Sequence, residues 1–289
     1  MQELQTPGAT ASIDEAHGGR LASLCVGGRE LLVGPSGPDD ASIGWGCFLM
    51  APWPGRLAGG RLAWGDRTIQ LRRTHGRHAI HGLVAGVPWT VEAANPASAT
   101  MAVGLDRDGW PFGGSVRQRI MLEPGRLTLE AEIHADGPMP AALGWHPWFH
   151  RRGAVSVRVD GDNALELRGM IPTGRVVPVA GTLDLRGGPI LGRRRLDDVY
   201  VGVRPPIEIT WPDLTLRLET APWLSTVVVY TPADAFCVEP QTAWPDALGS
   251  RAAGASEPCG ARALGGGESL RATLAFTWTL RSRGRPGPT

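Results

Sequence analysis

The sequence predicts an all-β protein, a large antiparallel β-sandwich, on three observations. Several short segments alternate apolar and polar residues, as half-buried strands do. Turns rich in Gly, Pro, Asp and Asn separate these segments, and no segment carries an apolar stripe of helical period over more than two turns. With 289 residues the chain can bury a sizeable core, and sandwiches of roughly 200–250 residues often form one unit.

The alternation is clearest in four segments, which in chain order are 126–135, 154–160, 213–220 and 271–280. In the first of them the leucines and the isoleucine are expected to face the core, while the residues between them face solvent. Turn sequences such as 123–126 and 160–163 separate the strands. We expect residues 1–282 to form one β-sandwich domain and residues 283–289 to be a flexible C-terminal tail.

The charge composition excludes some classes of partner. The chain has 29 basic and 28 acidic residues, a formal net charge of +1, so nothing in its charge favours binding to nucleic acid or an anionic membrane. No run of about 18 apolar residues is present, so no membrane span is expected. All the basic residues are arginine, which excludes chemistry through a lysine Schiff base.

Cysteine spacing and the absence of common motifs argue against several further classes of protein. The four cysteines are widely separated and form no CxxC, which argues against a zinc knot or redox motif and more weakly against a disulfide framework. No signal-peptide pattern opens the chain, so a cytoplasmic location is expected. The absence of GxGxxG, Walker and GxSxG sequences argues against the common nucleotide-binding and serine-hydrolase classes.

The segment LGWHPWFH places the ionisable ring of His146 among tryptophans. Two interpretations remain open from these residues alone. The ring is either a core histidine with a satisfied hydrogen bond, or it performs chemistry on a flat and weakly polar ligand.

Three histidines spaced by three residues, His75, His78 and His81, raise the question of a metal site. Gly76 and Gly82 interrupt any helix there, and no carboxylate or thiol is nearby in sequence, so we expect no metal. The segment is either a polar loop, or it points His81 into a cleft and leaves the other two histidines in solvent.

Glu239 follows three apolar residues and precedes a proline. Burial would raise its pKa and suit a general base, whereas the alternative is a salt-bridged glutamate at a strand end. Arg56, which follows Pro-Gly, could present a fixed fork of donors. Asp197 and Asp198 are adjacent and point to opposite faces if extended, so at most one enters a pocket; a charged turn is the alternative.

Five segments in order together resemble the aldose 1-epimerase (galactose mutarotase) family. They are PWPGRLAGGRLAWGDRTIQL, HAIHG, LGWHPWFH, IPTGRVVPVAGTLDLRG with RRLDDVYVG, and VVVYTP with CVEPQTAWPDAL. The resemblance runs from about Gly27 to Leu280. It implies a galactose mutarotase-like supersandwich with a monosaccharide site in a cleft on one face, and it implies neither a cofactor nor a metal.

The resemblance also implies roles for individual residues. Glu239 is the base that takes the proton from the anomeric hydroxyl, and His146 is the acid that protonates the ring oxygen. We expect these two groups on either side of the sugar. His81 is a second active-site histidine near that oxygen, and Arg56 and Asp197 bind sugar hydroxyls, with Asp197 preferred to Asp198 on one short motif.

Two departures from the family's pattern bear on sugar preference. Trp148 stands where tyrosine is common, and His150 stands where asparagine is frequent. Two other functions stay open. A hexose-6-phosphate mutarotase would need arginines around a phosphate, with Arg72, Arg73 and Arg193–Arg195 as candidates. A non-catalytic carbohydrate-binding or regulatory module would keep the cleft without turnover. The sequence makes no prediction of oligomeric state.

Overall fold

The computed structural model of the protein describes residues 1–37, 40, 42–249 and 259–281. The predicted tail, residues 283–289, lies outside the described residues. The all-β prediction is confirmed, because the described chain is made almost entirely of strands. Its helical elements are two 3-10 turns, Ala58–Gly60 and Gly181–Leu183.

The described residues form 25 strands. The first thirteen are β1 (Gln2–Thr6), β2 (Ala9–Asp14), β3 (Arg20–Val26), β4 (Arg29–Glu30), β5 (Cys47–Met50), β6 (Arg56–Leu57), β7 (Arg61–Trp64), β8 (Arg67–Gln70), β9 (Ala79–Ile80), β10 (Thr90–Asn95), β11 (Ser98–Gly104), β12 (Ser115–Glu123) and β13 (Arg126–His134). The remaining twelve are β14 (Met139–Ala141), β15 (Gly144–His150), β16 (Ser156–Asp160), β17 (Asn163–Arg168), β18 (Ile171–Pro178), β19 (Asp197–Val201), β20 (Arg204–Trp211), β21 (Leu214–Thr220), β22 (Thr226–Tyr230), β23 (Ala235–Gln241), β24 (Arg262–Leu264) and β25 (Ser269–Leu280).

Two large sheets make up most of the molecule. The eleven-stranded sheet has the order β1-β2-β3-β5-β15-β23-β22-β19-β17-β18, with β4 paired to β3. The eight-stranded sheet has the order β10-β11-β12-β13-β25-β21-β20-β16. Strands within each sheet pair antiparallel, for example β12 with β13 and β15 with β23. The large antiparallel sandwich predicted from the sequence is therefore confirmed.

One cluster of buried apolar side chains joins the two large sheets. It includes Leu24 and Val229 from the eleven-stranded sheet, and Leu129, Leu216 and Phe276 from the eight-stranded sheet. The alternation predicted for residues 126–135 places every second side chain of β13 in this cluster. Burial of each such side chain contributes on the order of 1.5–3 kcal/mol to folding.

The eleven-stranded sheet has a second face that points away from this main core. In β5, Cys47 and Leu49 belong to the main core, whereas Phe48 and Met50 form a separate small cluster with Ala85. Successive residues of a strand point to opposite faces of a sheet. We call the face of Phe48 and Met50 the outer face.

The four cysteines are all free thiols. Within the described ranges, no helix has both the length and the apolar character that a membrane crossing requires.

Candidate active site

A cavity of about 330 Å³ opens on the outer face of the eleven-stranded sheet. Small-molecule sites typically begin at about this size. The five residues implied as functional by the sequence resemblance all line it: Arg56, His81, His146, Asp197 and Glu239.

Strand alternation explains why His146 and Glu239 face this cavity. On β15, Trp145 directly precedes His146 and lies in the main core, as does Phe149. Because side chains alternate along a strand, His146 points to the outer face. On β23 Val238 lies in the main core, which turns Glu239 to the same face. The apolar residue before each polar one therefore fixes its direction.

The register between β15 and β23 brings the two groups together. The strands pair antiparallel, with Gly144 opposite Gln241 and Trp148 opposite Cys237. His146 Nε2 and Glu239 Oε1 are 3.2 Å apart, and only 5% and 4% of the two side chains are exposed. Both groups thus lie on the cavity floor within hydrogen-bond distance of each other.

Burial shifts the two pKa values in opposite directions. Burial raises the pKa of Glu239 well above its ordinary value, and the nearby charge of Asp197 raises it further. Burial lowers the pKa of His146, and the charge of Arg20 lowers it further. Between the lowered pKa of His146 and the raised pKa of Glu239, the pair holds a single proton. The other carboxylate oxygen of Glu239 accepts a hydrogen bond from Gln241 Nε2 at 3.1 Å.

Cys237 lies beside the pair on β23. Donor atoms of His146, Cys237 and Glu239 all lie within 4.8 Å of one another, a spacing that a metal ion can span. The thiol is fully buried, and burial raises its pKa well above the ordinary value. The thiol is therefore neutral at neutral pH and lies next to the proton-sharing pair of His146 and Glu239.

The imidazole of His146 is held in a stack of rings. Phe48 stacks with it at 4.8 Å between ring centroids, and Trp148 also stacks with it, at 5.4 Å. The ring of His81 meets it edge-on at 4.9 Å. Trp148 is itself fixed, because its Nε1 donates to the carbonyl of Ile43 at 2.7 Å. Such packing restricts the imidazole to one orientation over the cavity floor.

His81 enters the cavity from a strained turn. Its φ of 57° lies in the left-handed region, which costs a non-glycine residue about 1–3 kcal/mol. The next residue, Gly82, could not be anything larger, since a Cβ there would lie 2.0 Å from the carbonyl oxygen of Ala51. Burial and the neighbouring His146 lower the pKa of His81 well below its ordinary value. His81 therefore presents a neutral imidazole.

The other two histidines of this segment lie further out, in line with the cleft interpretation. His75 is exposed at the rim of the cavity, and His78 is half-buried. His78 Nδ1 accepts a hydrogen bond from the backbone of Gly59 at 3.2 Å. The three rings therefore do not converge as metal ligands would.

Arg56 and Asp197 occupy the wall of the cavity, and both are half-buried. The Arg56 guanidinium donates no hydrogen bond to another residue in the described part of the chain, so its donors face the cavity. Burial raises the pKa of Asp197, and the charge of Arg56 counteracts that effect. Asp198 does not line the cavity, and its carboxylate accepts a hydrogen bond from the Asp197 backbone at 3.2 Å.

Sequence reasoning missed several residues that line the cavity, among them Tyr230, Gln241 and Met170. Tyr230 is on β22, two residues after Val228, and both face the cavity. Gln241 is two residues after Glu239 on β23. The period of two could have identified both from their neighbours. Met170 could not be found in this way, because it lies in the turn between β17 and β18 with a φ of 65°.

The arginines required by the phosphate hypothesis lie elsewhere. Arg72 pairs with Asp108 at 3.2 Å, and Arg73 donates to the carbonyl of Gly59 at 3.2 Å. Neither of these two arginines lines the cavity, and none of Arg193–Arg195 does. The guanidinium group at the site is that of Arg56.

The family of the chain follows from comparison with known proteins. A family model described as aldose 1-epimerase matches residues 1–277. The chain belongs to the aldose 1-epimerase family. The resemblance indicated by the five sequence segments is therefore confirmed across nearly the whole chain.

Individual relatives of this aldose 1-epimerase family member are distant in sequence. The galactose mutarotase of Sus scrofa is 28% identical over 151 residues, or 48% of this chain. The uncharacterized protein YihR of Escherichia coli is 27% identical over 139 residues, or 46% of this chain. The aligned parts span 44% of the length of each of these two relatives.

A solved structure shows the same fold over the full length. The aldose epimerase homologue from C. elegans superposes with a TM-score of 0.85 at 18% sequence identity, covering 97% of this chain and 99% of that one. The supersandwich architecture is thus shared with galactose mutarotase-like proteins.

Proposed function

We propose that the protein is an aldose 1-epimerase, or mutarotase, which interconverts the α and β anomers of a free aldose. One observation carries the proposal: Glu239 and His146 meet at 3.2 Å on the floor of a cavity of about 330 Å³. Family membership supports it. The test is a screen of galactose, glucose, arabinose and xylose by polarimetry, or by NMR measurement of anomer exchange.

The reaction needs two proton transfers at neighbouring oxygens. Opening a pyranose requires a proton to leave O1 and another to reach O5. Burial favours the neutral pair of carboxylic acid and imidazole, so opening proceeds from its less populated tautomer of carboxylate and imidazolium, in which Glu239 accepts the O1 proton and His146 donates its own to O5. The pair is left as carboxylic acid and neutral imidazole. After rotation about the C1–C2 bond the same two groups reverse their roles.

This scheme conserves the single proton of the pair. Before and after ring opening, Glu239 and His146 together hold one proton, so no exchange with water is needed during turnover. Each positioned acid or base typically accelerates a reaction by about 10²–10⁴-fold. Exclusion of water by the surrounding rings strengthens the local electrostatic interactions.

Glu239 and His146 lie side by side on the adjacent strands β15 and β23. Because O1 and O5 are both bonded to C1, two neighbouring groups can serve both oxygens of one sugar. The expectation that the two groups flank the sugar stays a prediction.

The remaining polar side chains of the cavity are proposed to orient the sugar. A neutral His81 can donate or accept one hydrogen bond near the ring oxygen. Arg56 and Asp197 offer donors and acceptors of opposite charge, which together suit vicinal hydroxyls. The arginines of the phosphate hypothesis lie away from the cavity, so the proposal is for an unphosphorylated sugar.

Replacing Arg56 by alanine is expected to weaken sugar binding more than it slows the chemical step. We expect KM to rise at least ~10-fold, the effect of losing a charged hydrogen bond of about 1.5–3 kcal/mol, with a smaller change in kcat. Arg73→Ala is the matched control, since Arg73 is near in sequence but does not line the cavity. An unchanged concentration dependence in Arg56→Ala would count against its role.

After subtraction of the buffer-catalysed rate, the acid limb of the rate should lie below the ordinary histidine pKa, and the alkaline limb should lie well above the ordinary glutamate pKa. Because burial lowers the pKa of His146, the pair gains a second proton only below the ordinary histidine value of 6.5. Because burial raises the pKa of Glu239, the pair loses its only proton well above the ordinary value of 4.5. Activity should fall at acid pH, where the pair gains the second proton. It should also fall at alkaline pH, where the pair loses its only proton. An acid limb centred near 6.5 would contradict this assignment.

A further inference from the structure

A fully buried arginine lies behind the imidazole of His146. Arg20, the first residue of β3, donates hydrogen bonds to four main-chain carbonyls, those of His17, Ser42, Trp45 and Ala85. It forms no ion pair with a carboxylate in the described ranges, whereas buried charges are normally paired. Burial lowers its pKa to about 10, so the group is still a cation at neutral pH.

The guanidinium belongs to a continuous stack that ends at the imidazole. Its central carbon is 4.2 Å from the ring centroid of Trp45 and 5.3 Å from that of Phe48. The same Phe48 ring stacks with His146 at 4.8 Å between centroids. Only one aromatic ring therefore separates the buried cation from the imidazole.

Arg20 also fixes part of the cavity wall. The carbonyls of Ser42 and Trp45 that it binds flank Ile43 and Gly44, and both of these line the cavity. The carbonyl of Ile43 in turn accepts the hydrogen bond from Trp148, which also stacks with His146. One guanidinium thus supports both rings that stack with the imidazole.

We propose that Arg20 is a positioning residue for mutarotation, which holds the rings against His146 and whose charge makes its imidazolium a stronger acid toward the ring oxygen. The inference rests on the proposed function. Arg20 does not line the cavity, so it acts through the residues that it supports and through its charge on His146. A stronger acid suits this step because the ether oxygen of a pyranose is a weak base.

The charges that act on His146 can be identified from the elements packed against it. Cys237 and Glu239 approach from β23, His81 from the turn after β9, and Arg20 from β3 through Phe48. Burial keeps the thiol and the His81 ring neutral. Glu239 and Arg20 therefore act with opposite signs on the imidazolium.

Removing the charge of Arg20 should move both limbs of the pH–rate profile upward by about one unit. A unit charge about 10 Å away at an effective dielectric constant of about 20 has an effect of this size. Without the cation, the pair of Glu239 and His146 takes up its second proton at a higher pH and loses its only proton at a higher pH. The test compares Arg20→Gln with Arg20→Lys, by pH–rate profiles and by NMR titration of the His146 ring.

The two substitutions separate the charge from the hydrogen bonds. Arg20→Lys keeps the cation, so both limbs should stay in place, while kcat falls because an ammonium cannot bind four separate carbonyls. Arg151→Gln is the matched control for losing hydrogen bonds to main-chain carbonyls without losing a charge near His146. Arg151 also donates to four main-chain carbonyls, but it lies about 17 Å along the chain from His146 at ~3.4 Å per residue. Arg151 is only half-buried, so solvent and salt screen its charge, and its variant should lose stability and keep both limbs.

Unshifted limbs and an unshifted His146 titration in Arg20→Gln would overturn the proposal. If that variant does not fold, Phe48→Leu decides, since it keeps the cation and removes the ring. Phe48→Leu should keep both limbs and lower kcat at least ~10-fold, less than the ~10²–10⁴-fold expected for complete loss of an acid–base group; wild-type kcat there would also overturn the proposal. The NMR titration of His146 needs no turnover. It therefore tests the effect of Arg20 even if the protein is not a mutarotase, and the two failures can be told apart.

Discussion

Glu239→Gln is expected to slow mutarotation by at least ~10²-fold, the scale of one lost acid–base group. Glutamine has nearly the same shape as glutamate, so the fold and sugar binding should be largely kept. The amide cannot accept the proton of O1. Once His146 has given its proton to O5, the variant also has no carboxylic acid from which that proton can be restored. Polarimetry on any sugar that the wild type accepts measures the effect.

Glu166→Gln is the matched control for this change. Glu166 is a half-buried carboxylate on β17 that binds Thr173 at 2.7 Å and does not line the cavity. Its substitution should leave the rate close to that of the wild type. A near-wild-type rate in Glu239→Gln itself would defeat the assignment of Glu239 as the base.

His146→Gln should cause a loss of similar size, again at least ~10²-fold, because O5 would lose its proton donor. The neutral amide fits between Phe48 and Trp148, although it loses part of the stacking, so some loss of stability is expected as well. His150→Gln, on the same strand but outside the cavity, is the control and should keep near-wild-type activity.

The double variant of Glu239 and His146 adds a sharper criterion. The two residues share one proton in the proposed reaction, so removing either should disable the pair. Groups that act as a unit show strongly non-additive losses. The double variant should therefore be little slower than either single variant, whereas independent multiplication of the two losses would contradict the shared-proton scheme.

Much of the fold could be predicted because strand alternation is local. The period of two in residues 126–135 corresponds to the buried face of β13. The same rule predicted that Asp197 and Asp198 would point to opposite faces, and Asp197 is the one that lines the cavity. Local periodicity thus gave both the sandwich and the direction of individual side chains.

The partners of the candidate site could not be predicted in the same way. Taken alone, Glu239 allowed an ion pair at a strand end, and His146 allowed a core histidine with a satisfied hydrogen bond. In the structure each group is the other's partner, because of the long-range pairing of β15 with β23. No local pattern encodes that pairing, and only the family resemblance connected the two residues beforehand.

Arg20 shows the same limit more strongly. In the sequence it follows two glycines and begins an apolar strand, as many exposed arginines do. Its burial depends on carbonyls from Ser42, Trp45 and Ala85, which the chain brings together only after folding. A property that depends on distant main-chain atoms leaves no signal near the residue itself.

The central claim is that Glu239 and His146 exchange protons with O1 and O5 of one bound aldose. NMR measurement of exchange between the α and β anomers, with and without the protein, tests this most directly. The account predicts faster exchange for at least one of galactose, glucose, arabinose and xylose, and loss of that acceleration in Glu239→Gln. Exchange at the rate of the buffer for every sugar, or full acceleration by Glu239→Gln, would contradict it.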